Sequence, residues 1–320
     1  MKIVFMGTGQ FAVPALEALA RAGHSVPLVV SQPDRPQGRG LTLQETPVKA
    51  AARALGLPVF QPEKLRLEPG RVIDEKADVL VVVAYGQILR DNILECAGRG
   101  AINVHASLLP KYRGAAPIQW AIACGETRTG VTTMQLDRGM DTGAILLQRD
   151  CAIEPSDTTA TLEPRLALMG ATLLIETLEG LAAGAMTPIA QDDGAATKAP
   201  LIKKADGLVG FERTAQEITQ RLRGFSPWPG LQFLHQGRSV KILGASVLTL
   251  ADTPPSPSGT VLGISRDGVD VACASGSVLR LLKVKPESRS GVSAFDFANG
   301  AKLKPGSQLG DPASAPLPAP

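Results

Sequence analysis

The sequence lacks any long hydrophobic run and any secretory leader. No stretch approaches the ~18 uninterrupted apolar residues that a membrane-spanning helix needs. The first residues, MKIVFMGTG, pass directly into a strand-like pattern without the charged leader, apolar core and cleavage site of a secretory signal. These absences argue against a membrane or secreted protein, and we expect a cytoplasmic one.

Cysteine and histidine are scarce. The four cysteines, Cys96, Cys124, Cys151 and Cys273, are scattered without C-x-x-C spacing. That pattern argues against a disulfide framework or a zinc site and fits a reducing compartment. We therefore expect no metal. Only three histidines are present, so the setting of each one is informative.

Net charge is small, at +3 over 320 residues. A chain of this length suggests two domains at ~150 residues each. Residues 200 to 310 hold 14 Lys and Arg against 8 Asp and Glu, whereas residues 1 to 199 hold 19 against 21. The basic second half is compatible with a polyanionic partner, and equally with an ordinary solvated surface.

The first part of the chain alternates short β-branched runs with helical patterns, which is typical of a parallel sheet covered by helices. The most apolar run, Ala77 to Tyr85, should be a central strand buried on both faces. The runs TGVTTMQL and GAILLQRDCAI, joined by DRGMDTG, have the pattern of a β-pair. We predict an α/β fold with a Rossmann-like, doubly wound, mainly parallel sheet in residues 1–189.

The pattern changes after residue 189. Residues 190–208 are polar and rich in glycine and alanine without strong periodicity, as expected of a linker. Residues 209–308 begin with one helix and continue as short alternating strands, which predicts a small β-barrel. Residues 309–320 cannot form a core and should be a disordered tail. In the helical stretch before the linker, Pro164 is expected within the first turn of the main helix.

A loose dinucleotide-binding fingerprint follows the first strand. Gly7, Gly9 and Ala12 match the pattern G-x-G-x-x-G/A, and Asp34 follows the second strand, where a ribose-binding acid would lie. The match is weak because any tight strand-to-helix turn favours glycine. Nicotinamide chemistry is therefore a minor alternative.

Asn103 and His105 lie two residues apart in a strand pattern, so their side chains share one face. Ligands of doubly wound sheets bind at the carboxyl ends of the strands, where this strand ends. An amide beside an imidazole can stabilise a developing oxyanion, and a nearby carboxylate would keep the imidazole protonated. On spacing alone, a histidine that makes only a structural hydrogen bond is the more common case.

A candidate carboxylate lies downstream, in the glycine-rich loop DRGMDTG, which holds Asp137 and Asp141. Such an acid either caps a turn or serves as an active-site carboxylate on a shaped loop. The sequence alone does not choose between these roles.

Two other segments carry binding-type residues. The loop QPDRPQGRG, from Gln32 to Gly40, places arginines among Pro and Gly, which suits either phosphate contact or an exposed loop. In RGFSPWPG, Trp228 could stack on a base. A buried anchor between a helix and the barrel is the more common role for such a residue, and we expect Trp228 to be buried.

Together these segments resemble a known family. NVHASLLPKYRGAAPIQWAI followed by TGVTTMQLDRGMDTGAIL resembles the active-site signature of the folate-dependent formyltransferases. The segments GTGQFAVPALEAL, QPDRPQGRG, PVKAAARALGLPVFQP, ADVLVVVAYGQIL and RGFSPWPG are similar, in order and spacing, to the members that act on tRNA. The resemblance covers residues 2 to 305.

The resemblance implies transfer of the formyl group of 10-formyltetrahydrofolate to the α-amino group of methionine on initiator tRNA, by a monomer that needs no metal. The positions that match catalytic residues are Asn103, His105 and Asp141. The positions that match folate-binding residues are Ser107, Leu108, Leu109, Pro110, Tyr85, Gly86, Ile88 and Leu89. The second domain would be an OB-like barrel that binds tRNA, with contacts from Arg39, Lys203 and Lys204.

The chain departs from the family pattern at some tRNA-contact positions. Leu41 and Thr42 stand where further lysines are usual, and Leu201 replaces one lysine of the linker. Relatives that formylate a purine-precursor or sugar-nucleotide amine, or that hydrolyse the formyl donor, share the catalytic set but would not call for this basic barrel. A non-catalytic RNA-binding module is a further alternative. The intact catalytic set argues against that module, because an inactive site would be free to lose it.

Overall fold

The computed structural model describes residues 1–37, 42–249 and 255–310. Its contacts divide the chain into two compact units. The first unit comprises Met1–Pro117, Arg128–Ala152 and Thr161–Ala199, and the second comprises Ile118–Thr127, Ile153–Ala160 and the described residues from Pro200 onward. Residues 190–199, expected to form part of a linker, group with the first unit. The domain boundaries at residues 189 and 208 stay predictions.

The strands of the first unit are β1 (Lys2–Gly7), β2 (Ser25–Val30), β3 (Arg35–Gln37), β4 (Thr42–Gln44), β5 (Val59–Phe60), β6 (Val79–Val83), β7 (Ala101–His105), β8 (Arg128–Gln135) and β9 (Ile145–Ala152). Within the described residues, seven of them form one sheet in the order β5-β2-β1-β6-β7-β8-β9, and β3 pairs with β4. The pairs from β5 to β7 are parallel, and β8 and β9 are antiparallel additions. The predicted mainly parallel sheet and the β8–β9 pair are confirmed.

The central position of β6 follows from its composition. All five residues, VLVVV, are buried, and the strand lies between β1 and β7. A strand with no polar side chain can be buried on both faces, which is typical of parallel sheets covered by helices. The sequence prediction for this strand is confirmed. β1, β6 and β7 are parallel, so their carboxyl ends lie at one edge of the sheet. The candidate site described in the next section lies at this edge.

The helices are α1 (Val13–Arg21), α2 (Pro47–Ala54), α3 (Gly70–Ile73), α4 (Asp91–Leu94), α5 (Pro117–Ala123), α6 (Thr159–Ala182), α7 (Ala215–Gly224) and α8 (Ala294–Gly300). Among the described residues, none of the helices is long and apolar enough to cross a bilayer. Pro164 is the sixth residue of α6, so its predicted place in the first turn is wrong. The helix begins earlier than expected, and the missing proline N–H removes only one hydrogen bond near its amino end.

The second unit carries β10 (Leu231–His235), β11 (Arg238–Leu248), β12 (Val261–Ser265), β13 (Gly268–Ala272), β14 (Val278–Pro286) and β15 (Val292–Ser293). These strands form an antiparallel sheet in the order β10-β11-β14-β13-β12, with β15 on β14. α7 precedes the sheet, and Thr214 and Glu217 form a capping box at its start. The predicted helix followed by an antiparallel set of short strands is confirmed.

The aromatic anchor beside α7 is not the residue that the sequence suggested. Trp228 is 57% exposed, so the prediction of its burial is wrong. Phe225 is fully buried and packs edge-on against Trp120, with ring centroids 5.4 Å apart. The Gly230 N–H donates to the Phe225 carbonyl at 2.9 Å. This hydrogen bond closes the turn of residues 225–230, in which Trp228 is mostly exposed.

The last described residues are packed. Leu309, expected to begin the tail, is buried, and its N–H donates to the carbonyl of Gly259 at 2.8 Å. Residues 311–320 lie outside the described residues, so the expectation of a disordered tail stays a prediction.

Candidate active site

β7 brings Asn103 and His105 to one face of the sheet. Both side chains are buried, with exposed fractions of 9% and 6%. β7 lies between β6 and β8, and alternation along a strand directs residues 103 and 105 to the same side. The pair therefore lies at the carboxyl end of a parallel strand, where doubly wound sheets bind ligands.

The His105 ring is held at one nitrogen and open at the other. Nε2 lies 2.9 Å from the carbonyl oxygen of Tyr112. A carbonyl only accepts, so Nε2 carries the proton and donates it. Nδ1 lies 3.7 Å from Oδ2 of Asp141, too far for a hydrogen bond but close enough for charge attraction. Nδ1 is therefore the ring atom available to a substrate.

The loop between β8 and β9 carries two acids with different partners. Asp137 accepts hydrogen bonds from the N–H of Gly139 at 2.9 Å and from Oγ1 of Thr142 at 2.7 Å, and so caps the loop. Oδ2 of Asp141 accepts from the N–H of Gly114 at 2.8 Å and faces His105. The sequence left open whether the acids of this loop cap a turn or face the active site. In the structure Asp137 caps the turn, and Asp141 lies beside the imidazole.

Asn103 is the second polar group of the pair. Its amide makes no hydrogen bond to any residue that the structure describes, although the side chain is 9% exposed. An amide kept in this state beside His105 is a donor available to a ligand oxygen.

The turn after β7 contains the predicted folate-binding residues Ser107, Leu108, Leu109 and Pro110. Thr132 Oγ1 donates to the Ser107 carbonyl at 2.7 Å and accepts from the Leu109 N–H at 3.2 Å. Gln148 Nε2 donates to the Leu109 carbonyl at 2.8 Å. Ser107 and Leu109 are buried, whereas Leu108 and Pro110 are partly exposed. The backbone of the turn is thus held by β8 and β9, and Leu108 and Pro110 present its side-chain surface.

The loop after β6 contains the other predicted folate-binding residues, Tyr85, Gly86, Ile88 and Leu89. Tyr85 packs in the hydrophobic core, where burial raises its pKa to about 12. Its carbonyl accepts from Thr8 Oγ1 at 2.8 Å and from Gln32 Nε2 at 2.9 Å. Tyr85 therefore anchors the loop from beneath and does not line an open surface with its side chain.

Residues 86–89 form the open part of that loop. Gly86 has φ of +82°, and any side chain there would meet Gln32. Ile88 is 89% exposed. Among the described residues, the backbone N–H and C=O groups of residues 86–89 have no hydrogen-bond partner. The loop thus presents unpaired backbone groups beside an exposed apolar side chain.

A set of contacts that the sequence did not predict reaches the site from residues 191–197, inside the predicted linker. The Gln191 amide donates to the carbonyls of Asp141 at 2.8 Å and Gly143 at 2.7 Å. Thr197 Oγ1 accepts from the N–H of Tyr112 at 2.8 Å. The segment has no periodicity, so no pattern in the sequence indicated these partners.

The predicted tRNA-contact residues are only partly described. Arg39 and Leu41 lie outside the described residues. Lys203 and Lys204 are exposed, in and beside a short 3₁₀ helix, Lys204–Gly207, of the second unit. Thr42 is exposed in β4.

The groups that suggested nicotinamide binding have other partners. Asp34 accepts from Lys49 Nζ and from Gln61 Nε2. These hydrogen bonds lower its pKa, Lys49 having the larger effect. A Cβ at Gly7 would lie 2.9 Å from the Cβ of Ala12, so close packing explains this glycine. Nothing in this segment favours the nicotinamide alternative.

The described residues hold no group of three or more His, Cys, Asp or Glu side chains placed to bind a metal ion. The expectation that the protein needs no metal stays a prediction.

Comparison with known proteins gives consistent results. The family model described as formyl transferase matches residues 1–178, and the one described as formyl transferase, C-terminal domain, matches residues 201–302. A curated methionyl-tRNA formyltransferase of Anaeromyxobacter dehalogenans is 49% identical over 306 residues, covering 95% of this chain and 98% of that protein. Another, of Solibacter usitatus, is 48% identical over 315 residues, covering 97% of this chain and 99% of that protein.

A solved structure shares the fold at low sequence identity. It is an N-formyltransferase of Helicobacter canadensis in complex with folinic acid and dTDP-3-aminofucose. The TM-score is 0.66 at 18% identity, and the match covers 88% of this chain and 98% of that one. At 18% identity, this match supports a conclusion about the fold alone. The two curated relatives, by contrast, are 49% and 48% identical over 95% and 97% of this chain. On those matches, the chain belongs to the formyl transferase family, among its methionyl-tRNA formyltransferases.

Proposed function

We propose that this chain transfers the formyl group of 10-formyltetrahydrofolate to the α-amino group of methionyl initiator tRNA, which yields formylmethionyl-tRNA for translation initiation. The observation that carries the proposal is that Asn103 and His105 share one face of β7 and that Asp141 Oδ2 lies 3.7 Å from His105 Nδ1, in a chain 49% identical to a curated methionyl-tRNA formyltransferase. We further expect a cytoplasmic monomer.

Asn103 and His105 are the proposed donors to the oxyanion. As the uncharged amine attacks the formyl carbon, negative charge develops on the formyl oxygen. The unpaired amide of Asn103 and the Nδ1–H of protonated His105 donate to that oxygen. His105 uses Nδ1 because Nε2 is already bonded to the Tyr112 carbonyl. Loss of one such donor costs about 3 kcal/mol of transition-state stabilisation.

Asp141 has two proposed roles. Its carboxylate lies 3.7 Å from Nδ1 of His105, where it faces the side of the ring that donates to the oxyanion. It also accepts the proton that the attacking amine must lose, through a water molecule. The carbon–nitrogen bond to tetrahydrofolate then breaks, and the released nitrogen takes up a proton.

The loop of residues 86–89 and the turn at Leu108 and Pro110 fit the pterin ring of a folate. A flat heteroaromatic ring with donors and acceptors at its edge needs apolar walls and free backbone groups. Ile88 is 89% exposed, and the adjacent backbone groups are unpaired among the described residues. Gly86, Ile88 and Leu89 would hold the ring, with Tyr85 anchoring their loop.

The tRNA contacts are proposed for Arg39, Lys203 and Lys204. Arg suits phosphate because its guanidinium binds two oxygens at once, and both lysines are exposed. These contacts would position the acceptor end without reading its sequence.

The test is an assay of the purified protein with 10-formyltetrahydrofolate and methionyl initiator tRNA. Free methionine and dTDP-3-aminofucose serve as alternative acceptors. We expect formylated product from the tRNA alone. Equal or faster formylation of the amino sugar would contradict the proposal and favour a sugar-directed enzyme.

A further inference from the structure

Gln191 hydrogen-bonds through both ends of its amide to the loops that flank the proposed active site. Nε2 donates to the carbonyl of Asp141 at 2.8 Å and to the carbonyl of Gly143 at 2.7 Å. Oε1 accepts from Nε of Arg113 at 3.0 Å. One side chain therefore ties together two loops that are distant in sequence.

The loop that Gln191 holds has a backbone conformation that needs support. Asp141 has φ of +56°, in the left-handed region that non-glycine residues rarely adopt. Such conformations persist only where the surroundings hold them, and they cluster at functional sites. The hydrogen bond from Gln191 falls on the carbonyl of this same residue.

The second loop that Gln191 reaches holds both partners of the acid–imidazole pair. Arg113 lies between Tyr112, whose carbonyl accepts from His105 Nε2, and Gly114, whose N–H donates to Asp141 Oδ2. The Arg113 side chain is largely buried against Gln191 and Asp193. The backbone of this second loop is also held by residues 197–199, through hydrogen bonds of Tyr112 and Arg113. Loss of Gln191 would therefore loosen chiefly the Asp141 loop, whose carbonyls at Asp141 and Gly143 it supports.

We propose that Gln191 is a positioning residue for formyl transfer, which holds the Asp141 carboxylate opposite Nδ1 of His105. The inference rests on the proposed function and adds to it a residue outside the predicted site. In this proposal Gln191 acts through the Asp141 loop, whose carbonyls accept its hydrogen bonds, and has no direct role in the chemical step.

The test uses Gln191→Ala and Gln191→Glu. The second variant keeps the shape and the contact with Arg113, but its carboxylate cannot donate to the two carbonyls. We expect kcat to fall at least tenfold in both, with the KM values for folate and tRNA changed less than twofold. A fall in stability with kcat per folded molecule unchanged would overturn the inference.

The matched control is Gln308→Ala. Gln308 also donates from Nε2 to a loop carbonyl, that of Ser258, but it belongs to the second unit. We expect its kcat to stay within twofold of the parent protein. An equal fall in kcat in this control would overturn the assignment to Gln191.

A double-mutant cycle tests the route of action. If Gln191 acts through Asp141, adding Gln191→Ala to Asp141→Asn lowers kcat by less than twofold further. Independent, multiplicative losses would overturn the inference.

A readout without catalysis separates this inference from the proposed function. Absence of product from tRNA with the parent protein would refute the proposed function alone. The His105 ring resonances in NMR spectra should change in Gln191→Ala and stay fixed in Gln308→Ala. Unchanged His105 resonances in Gln191→Ala would overturn the positioning role.

Discussion

At the scale of single residues, the polar atoms of the candidate site differ in whether they already have a hydrogen-bond partner. His105 has Nε2 hydrogen-bonded and Nδ1 without a hydrogen bond, and the Asn103 amide has no hydrogen-bond partner in the part of the chain that the structure describes. Asp137 and Asp141 lie four residues apart in one loop, yet only Asp141 faces the imidazole. This difference allows two chemically identical substitutions to be compared.

Asp141→Asn should lower kcat about 10²–10³-fold, because an amide carries no negative charge opposite His105 and cannot accept the amine proton. Asp137→Asn keeps an oxygen that can cap the loop and should stay within about threefold. Single-turnover formylation of methionyl initiator tRNA measures both rates. Similar losses in the two variants would contradict the role given to Asp141.

Asp34 gives a pH-dependent prediction. Hydrogen bonds from Lys49 and Gln61 lower its pKa, so its ionised form is favoured more in the folded state than in the unfolded one. That stabilisation is complete above the unfolded value of about 3.9 and is lost as pH falls through the lower folded value. Asp34→Asn should therefore destabilise the protein at pH 6 and have a smaller effect at pH 3.

Urea unfolding at the two pH values measures this difference. The same substitution in a Lys49→Met background should show a weaker dependence on pH, because the larger of the two causes is removed. An effect of Asp34→Asn that is equal at pH 6 and pH 3 would contradict the assignment.

At the scale of elements, α7 is held to its surroundings in the second unit by aromatic packing. Phe225 follows α7 directly and meets Trp120, whose Nε1–H donates to the Pro200 carbonyl at 2.8 Å. The guanidinium of Arg221, on α7, lies 5.8 Å from the centroids of both rings, and burial lowers its pKa. Trp228 lies three residues beyond Phe225 and is mostly exposed.

Phe225→Ala should therefore lower the free energy of unfolding by about 3–5 kcal/mol, as expected for a fully buried aromatic residue. Trp228→Ala should cost under about 1 kcal/mol, because most of its surface already faces water. Urea unfolding monitored by circular dichroism compares the two. Equal losses would show that Trp228 is an anchor after all.

At the scale of the whole molecule, the basic second unit carries two lysines side by side on one sheet surface. Lys241 on β11 lies directly opposite Lys285 on β14. Lys241 lies between buried Val240 and Ile242, and Lys285 follows buried Val284, so both lysines point outward. Like charges directly opposite each other destabilise a sheet. Among the described residues, neither lysine has an acidic ion-pair partner.

This lysine pair suits a phosphate backbone. Each of Lys241→Ala and Lys285→Ala should weaken tRNA binding, and should reduce the slope of log K against log salt by about 1 for each phosphate that the lysine neutralises. Lys304→Ala makes the same charge change beside residues that pair with β12, at the other edge of the sheet. Binding titrations at several salt concentrations compare the three variants. An equal effect of Lys304→Ala would show a general charge effect without a defined surface.

The amino-acid sequence was enough to predict the α/β first part, the buried central strand β6, the strand-rich second part that follows a helix, and the family. These features follow from local periodicity and from motifs with fixed spacing, which neighbouring residues are enough to specify. The sequence also indicated Asn103, His105 and Asp141 as candidate active-site residues, because the first two share a strand face and the third lies in a glycine-rich loop.

The folded structure was needed to identify which acid faces His105, which ring nitrogen is free of a hydrogen bond, and which aromatic residue is buried. It also placed Gln191, from the predicted linker, on the carbonyl of Asp141. Such contacts join residues tens of positions apart through single hydrogen bonds. A hydrogen bond depends on the distance and angle between its donor and acceptor, and the spacing and composition of the two segments do not determine either quantity.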